Sequence, residues 1–311
     1  MQTLRKYVQS RELPGGCTIE HFADRLLQAI KTKGSPICVG LDPVIERLPE
    51  AVKGGDSVER IERWCEGVIE AVAEHTPAVK PQLACFERYG AAGYAAYQRV
   101  TRFTKERGLI VVTDGKRGDI GFSAEHYAAG LFTDEYATDC LTVNPYLGAD
   151  SLQGFTDIAA RAGAGLFALV RTSNPGSDAL QGLPLKDGRT VGQAVAQIVA
   201  ELGASKPAYI GKSGYSLLGA VVGATKPADA VALRKLMPQQ IFLVPGFGAQ
   251  GGGPDDVTAC FKPDGTGALI TASRSVIYAH EKAASFDWKA AVADAAKDFN
   301  SQIRSILALS N

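Results

Sequence analysis

Eight short runs of apolar, largely β-branched residues recur along this chain and alternate with longer Ala-rich segments of helical patterning. The runs are Ile37–Leu41, Ala78–Leu83, Leu109–Thr113, Cys140–Val143, Gly165–Val170, Leu218–Val222, Ile241–Val244 and Ala268–Thr271. Their hydrophobicity is continuous rather than alternating, which marks strands covered on both faces, as in parallel sheets. Between them the helical patterns cover Ser57–Glu74, Ala91–Glu106, Ser123–Tyr136, Ser151–Ala162, Val191–Leu202 and Ala228–Leu236. Parallel strands need crossover connections, and eight strand–helix units predict a closed (β/α)8 barrel. A doubly wound open sheet is the alternative, but it does not usually supply eight such units. Thr18–Lys31 reads as an additional helix before the first strand and Trp288–Leu309 as a final one, so residues 1–311 are expected to form one α/β domain with its barrel core over about 35–280.

Composition narrows the partners. Lys and Arg together number 33, as do Asp and Glu, giving a formal net charge of zero. That argues against a nucleic-acid or membrane-surface role driven by bulk charge. No apolar stretch has the length of a membrane span, and the first residues, Met1-Gln2-Thr3-Leu4-Arg5-Lys6, lack the apolar core of a secretory signal. The six cysteines (Cys17, Cys38, Cys65, Cys85, Cys140, Cys260) are scattered without a C-x-x-C pair, as expected of a reduced, cytoplasmic protein. The four histidines form no ligand spacing, and no metal is expected.

In such a barrel catalytic groups gather at the carboxyl ends of the strands. The third run is followed by Asp114-Gly115-Lys116-Arg117-Gly118-Asp119-Ile120, a D-x-K-x-x-D spacing. Residues two apart on a strand share a face, so Asp114 and Lys116 are expected to point the same way. A lysine held between carboxylates is a fixed cation able to stabilise an anion and then protonate it. The first strand ends in Gly40-Leu41-Asp42-Pro43, and the second carries Lys80 in an otherwise apolar run. Singly, each fits a plain structural role: Asp42 as a turn cap, Lys80 reaching along a strand edge to solvent. Meeting on one barrel face, they become partners, because buried charges require them. The fifth strand leads into Arg171-Thr172-Ser173-Asn174-Pro175-Gly176 and a Gly-, Pro- and Ser-rich connection, 172–190, long enough to be either a binding loop or a surface insertion. After the seventh strand comes the glycine-rich Pro245-Gly246-Phe247-Gly248-Ala249-Gln250-Gly251-Gly252-Gly253, and after the eighth, Ser273-Arg274-Ser275. These are the loops with which barrels often bind phosphate, with Arg274 and Gln250 as side-chain donors. Walker A and H-E-x-x-H patterns are lacking, and no G-x-G-x-x-G opens a first βαβ unit.

Taken in order, Gly40-Leu41-Asp42-Pro43, Lys80, Asp114-x-Lys116-x-x-Asp119-Ile120, Ser173-Asn174-Pro175-Gly176, Pro245-Gly246-x-Gly248-x-Gln250-Gly251-Gly252 and Arg274-Ser275 closely resemble the orotidine 5′-phosphate decarboxylases, in the longer bacterial form often called type 2. The resemblance runs from about Ser35 to Tyr278. It implies decarboxylation of orotidine 5′-phosphate to UMP, the last step of de novo pyrimidine nucleotide synthesis, without a cofactor. It implies a network of Lys80, Asp114, Lys116 and Asp119, with Asp119 and Ile120 donated by the second subunit of a homodimer. Asp42 is implied as a ribose ligand and Ser173 as a pyrimidine contact, with Pro245, Gln250, Arg274 and nearby backbone amides around the 5′-phosphate. Many family members have Asn-Thr after Asp-Ile-Gly, where this chain has Phe122-Ser123; Ser123 keeps the hydroxyl for a ribose contact, while Phe122 has no counterpart role. Two other readings stand beside this one: a magnesium-dependent sugar-phosphate decarboxylase or aldolase, in which the lysine of strand two would ordinarily be a carboxylate, and a non-catalytic nucleotide-binding barrel.

Overall fold

The structure, a computed structural model, describes residues 19–247, 253–283 and 287–309. Eight parallel strands close into a barrel in chain order: β1 (Ile37–Leu41), β2 (Ala78–Pro81), β3 (Ile110–Arg117), β4 (Cys140–Val143), β5 (Gly165–Arg171), β6 (Leu218–Val222), β7 (Phe242–Pro245) and β8 (Ala268–Ala272). β8 pairs back onto β1 through Ile37↔Ile270. The principal helices are α1 (Phe22–Lys33), α2 (Ser57–Val72), α3 (Gly90–Glu106), α4 (Gly121–Phe132), α5 (Ala149–Ala162), α6 (Val191–Ala204), α7 (Pro227–Leu236) and α8 (Trp288–Leu309). The expected (β/α)8 architecture is present, with the additional helix at each end.

Local chemistry sets the element boundaries. Asp56 and Glu59 form a reciprocal capping box at the start of α2, and Thr190 with Gln193 does the same for α6. Expected to start at Thr18, α1 starts at Phe22, because His21 Nδ1 accepts the Ala23 N–H at 3.2 Å; it stops at Gly34, whose φ of 57° suits a left-handed cap. Four residues short of the expected end, α4 stops at Phe132, where the Asp134 carboxylate accepts the Tyr136 N–H and favours a turn over another helical residue. The largest departure among the strands is β3, expected to end at Thr113 and instead running to Arg117 with a register shift against β4.

The core has two parts. Outside the barrel, strands and helices bury a layer that includes Trp64, Ile69, Tyr97, Phe155 and Phe242. Inside, Cys38, Ala78, Val112, Cys140, Phe167, Leu243 and Leu269 fill the barrel, and Phe22 and Leu26 of α1 pack against them. Phe22 meets Phe167 edge to face at 6.2 Å. A Cβ on Gly165 would lie 2.0 Å from the Phe22 ring, so glycine at the start of β5 is what admits the plug. With its amino-terminal end filled, the barrel keeps its space at the carboxyl ends of the strands, where (β/α)8 enzymes place their sites.

Candidate active site

A cavity of about 450 Å³ opens among the strand ends, and Asp42, Lys80, Asp114, Lys116, Ser173, Pro245 and Arg274 all line it. The plan of the site follows the strand order: β1 to β3 supply charges, the loop after β5 supplies neutral polar groups, and β7 and β8 supply the far wall.

Asp114 is the hub. Its Oδ2 accepts from Lys80 Nζ at 2.6 Å and from Gln82 Nε2 at 3.2 Å, while Oδ1 accepts from Lys116 Nζ at 2.5 Å and Thr142 Oγ1 at 3.0 Å. Asp114 and Lys80 are each only 7% exposed, so Lys80 does not reach out to solvent. Burial pushes the Asp114 carboxyl up, yet Lys80 and Lys116 outweigh burial and hold it well below the ordinary carboxylate range. Burial likewise pulls Lys80 down, and Asp114 and Asp42 more than offset this, so the ammonium is kept charged. Replacing Asp114 by Ala strands that ammonium, and is expected to cost about 3–5 kcal/mol of stability in urea denaturation. Because its folded pKa is depressed, Asp114 stabilises the native chain fully above its ordinary value of 3.8, and this contribution is lost as pH falls from there toward the folded value. Acid melting of Asp114→Ala should accordingly be flatter than that of the unaltered chain below pH ~4.

Lys116 differs from Lys80 in being half open, with 48% of its side chain exposed on the cavity side. Its backbone sits at φ 45°, the one non-glycine residue in the left-handed region among those described. Simple strand alternation therefore does not explain why Asp114 and Lys116 meet. The irregular end of β3 turns Lys116 back, and its N–H donates to Thr142 Oγ1 at 3.0 Å. Such an outlier persists only where surrounding contacts over-determine it.

Directly after β1, the neighbour of β2, Asp42 Oδ1 is buried with no hydrogen-bond partner among the described residues. Its loop is fixed by Tyr278, whose hydroxyl donates to Asp42 O and accepts from Val44 N–H, both at 2.8 Å. The Tyr278 ring is held between Trp64, stacked at 5.4 Å, and the Arg47 guanidinium at 3.7 Å. Arg274 is exposed at the start of a short helical turn after β8, and no carboxylate pairs with it among the described residues. Pro245, Gly246 and Phe247 complete this wall, while Gln250 and residues 248–252 lie outside the described residues.

Asp119, Ile120 and Ser123 are not brought to the cavity of their own chain. Asp119 and Ser123 line a separate hollow with Phe122, His126 and Tyr127, and Ile120 is 56% exposed beside it. Gln82 and Thr142, by contrast, carry no expected role, yet both donate to Asp114. Thr142, as a hydroxyl inside the fully buried β4, and Gln82, as a polar residue two past Lys80, were the available signals. Of the 172–190 connection, Thr172, Ser173, Asn174 and Gln181 line the cavity. Five cysteines are described and all are free; Cys17 lies outside the described residues.

Comparison with known proteins places the chain in a family. Residues 35–287 match the orotidine 5′-phosphate decarboxylase / HUMPS family. An orotidine 5′-phosphate decarboxylase of Rhodopirellula baltica is 44% identical over 302 residues, covering 91% of this chain and 99% of the relative. One from Deinococcus radiodurans is 41% identical over 258 residues, covering 83% and 89%. Among solved structures, Leishmania donovani OMP decarboxylase superimposes with a TM-score of 0.74 at 33% identity, covering 92% of this chain and 98% of that one. By match, relatives and architecture together, the chain belongs to the orotidine 5′-phosphate decarboxylase / HUMPS family.

Proposed function

We infer that this chain decarboxylates orotidine 5′-phosphate to UMP, with Lys116 as the group that stabilises the C6 carbanion and protonates it. The observation that carries the reading is the Lys80–Asp114–Lys116 chain of ion pairs, buried at one end and open to the cavity at the other. Heterolysis of the C6–carboxylate bond releases CO₂ and leaves the electron pair on C6, where the pyrimidine ring delocalises it poorly. Lys116 faces that charge from a preorganised position, which costs little reorganisation during the reaction. Its proton then forms the new C6–H bond. Asp114, beside the departing carboxylate, keeps the lysine ammonium oriented. No cofactor has a step in this sequence.

Recognition divides along the cavity. Asp42 offers its unpaired oxygen to a ribose hydroxyl, Ser173 faces the pyrimidine, and Arg274, Gln250 and the Pro245–Gly246 backbone take the phosphate. Contacts so far from C6 convert remote binding energy into rate. Asp119, Ile120 and Ser123 act in the neighbouring site of a homodimer. Exposed Phe122 (63%), Tyr127 (44%) and Tyr146 (77%) around α4 support that interface. Phe122 stacks edge-on with His126 at 4.1 Å, so in place of the usual amide it adds apolar surface there. Free thiols fit a cytoplasmic setting. The magnesium-dependent alternative is disfavoured because both Asp114 oxygens are already engaged by protein donors.

The reading is tested by incubating the purified chain with orotidylate and following its ultraviolet absorbance. Turnover insensitive to a chelator is expected. Unchanged absorbance alongside intact UMP binding would overturn the assignment.

A further inference from the structure

β6 brings only Val221 to the cavity wall, and no polar side chain. What its end contributes is room. Gly223 follows β6, and a Cβ placed on it would lie 2.9 Å from both the Cβ and the backbone nitrogen of Ser173 and 3.0 Å from its Cα. Two of these neighbours are backbone atoms, so any larger residue must move Ser173 as a whole. The Gly223 N–H donates to Arg171 O at 2.7 Å, which ties the two strand ends together immediately before Ser173.

Arg171 fixes the same segment from below. It is 5% exposed, an unusual depth for a guanidinium without full pairing. Its Nε donates to Asp229 Oδ2 at 2.7 Å and Nη1 to Ser177 Oγ at 2.9 Å, while Nη2 binds Asp178, which also accepts from Lys226 Nζ at 2.7 Å. Asp229 lies in α7 and Lys226 directly precedes it, whereas Ser177 and Asp178 lie in the loop after β5. One planar fork therefore joins that loop to the start of α7. Gln181 completes the frame, its Oε1 accepting the Thr172 N–H at 2.8 Å.

We propose that Gly223 and Arg171 are positioning residues that set Ser173 against the base, and so govern discrimination between a pyrimidine nucleotide and the bare ribose phosphate. The proposal rests on Ser173 being the base contact. Neither residue touches ligand; both act through the placement of Thr172–Asn174.

The test compares calorimetric affinities for UMP and ribose 5-phosphate. Gly223→Ala is expected to weaken UMP about tenfold, the scale of one misplaced hydrogen bond, and to leave ribose 5-phosphate within about twofold. In a Ser173→Ala background, Gly223→Ala should add no further loss, because coupled residues are non-additive. Equal losses for both ligands, an unchanged UMP affinity, or additivity with Ser173→Ala would each overturn the proposal. Should Gly223→Ala fail to fold, Asp229→Asn loosens the Arg171 fork from a helix position whose side chain is 45% exposed. It is expected to produce the same loss confined to UMP, and a loss shared by ribose 5-phosphate again overturns it. Orotidylate turnover by the unaltered chain is measured separately, so failure of the activity and failure of the positioning role are distinguishable.

Discussion

Lys116→Ala is expected to lower orotidylate turnover by about 10⁴-fold or more, while UMP still binds within about tenfold of the unaltered chain. The size follows from two functions lost together: a charge facing the C6 anion, and the acid that protonates it, each contributing on the order of 10²–10⁴. Binding is expected to survive because the proposed ribose and phosphate contacts, around Asp42 and Arg274, lie elsewhere in the cavity lining. Retained turnover would remove Lys116 as the proton donor. Lys116→Gly sharpens the comparison. At φ 45° glycine is unstrained whereas alanine is not, so the glycine variant should be more stable than the alanine one by about 1 kcal/mol while equally inactive. A difference in melting without a difference in activity would separate the backbone cost of this position from its chemistry.

Mixing Lys116→Ala with Asp119→Ala, each inactive alone, is expected to restore activity to about a quarter of that of the unaltered protein if the chain forms the proposed homodimer and re-pairs at random about a two-fold axis. Each mixed dimer then holds one intact site, built from the Lys116 of one chain and the Asp119 of the other. The expectation stems from placement: Asp119 and Ser123 open onto a hollow on the α4 surface rather than onto their own chain's cavity. Mixtures that stay inactive under conditions where the chains demonstrably re-pair would mean that each site is self-contained. Association of the two chains through Ile120, Phe122 and Tyr146 would remove from water side chains that are more than half exposed in the single chain.

Much of this arrangement was legible before any coordinates. Continuous apolar runs report burial on both faces of a strand, so β1, β4 and β6 fall where periodicity placed them. Polar residues at successive strand ends then converge because barrel closure leaves them no other face. Lys80, Asp114 and Arg274 were found that way. Legibility failed where side chains take their meaning from non-local neighbours. Thr142 and Gln82 look ordinary in sequence, yet both donate to Asp114. Strand alternation predicts that Lys116 meets Asp114; the pair exists, but through an irregular strand end and a left-handed residue that no periodicity announces. The constraint on Gly223 exists only because the fold sets Ser173 beside it.

The sequence by itself determined the barrel and the strand ends at which charged groups stand, because the burial pattern of each run is a local property of the chain. Only the tertiary structure decided which charges share a cavity. It joined Lys80, Asp114 and Lys116 into one chain of ion pairs, sent Asp119 to another surface, and closed the floor of the barrel with Phe22. Those outcomes depend on distances between residues far apart in sequence, and such distances exist only once the strands have closed.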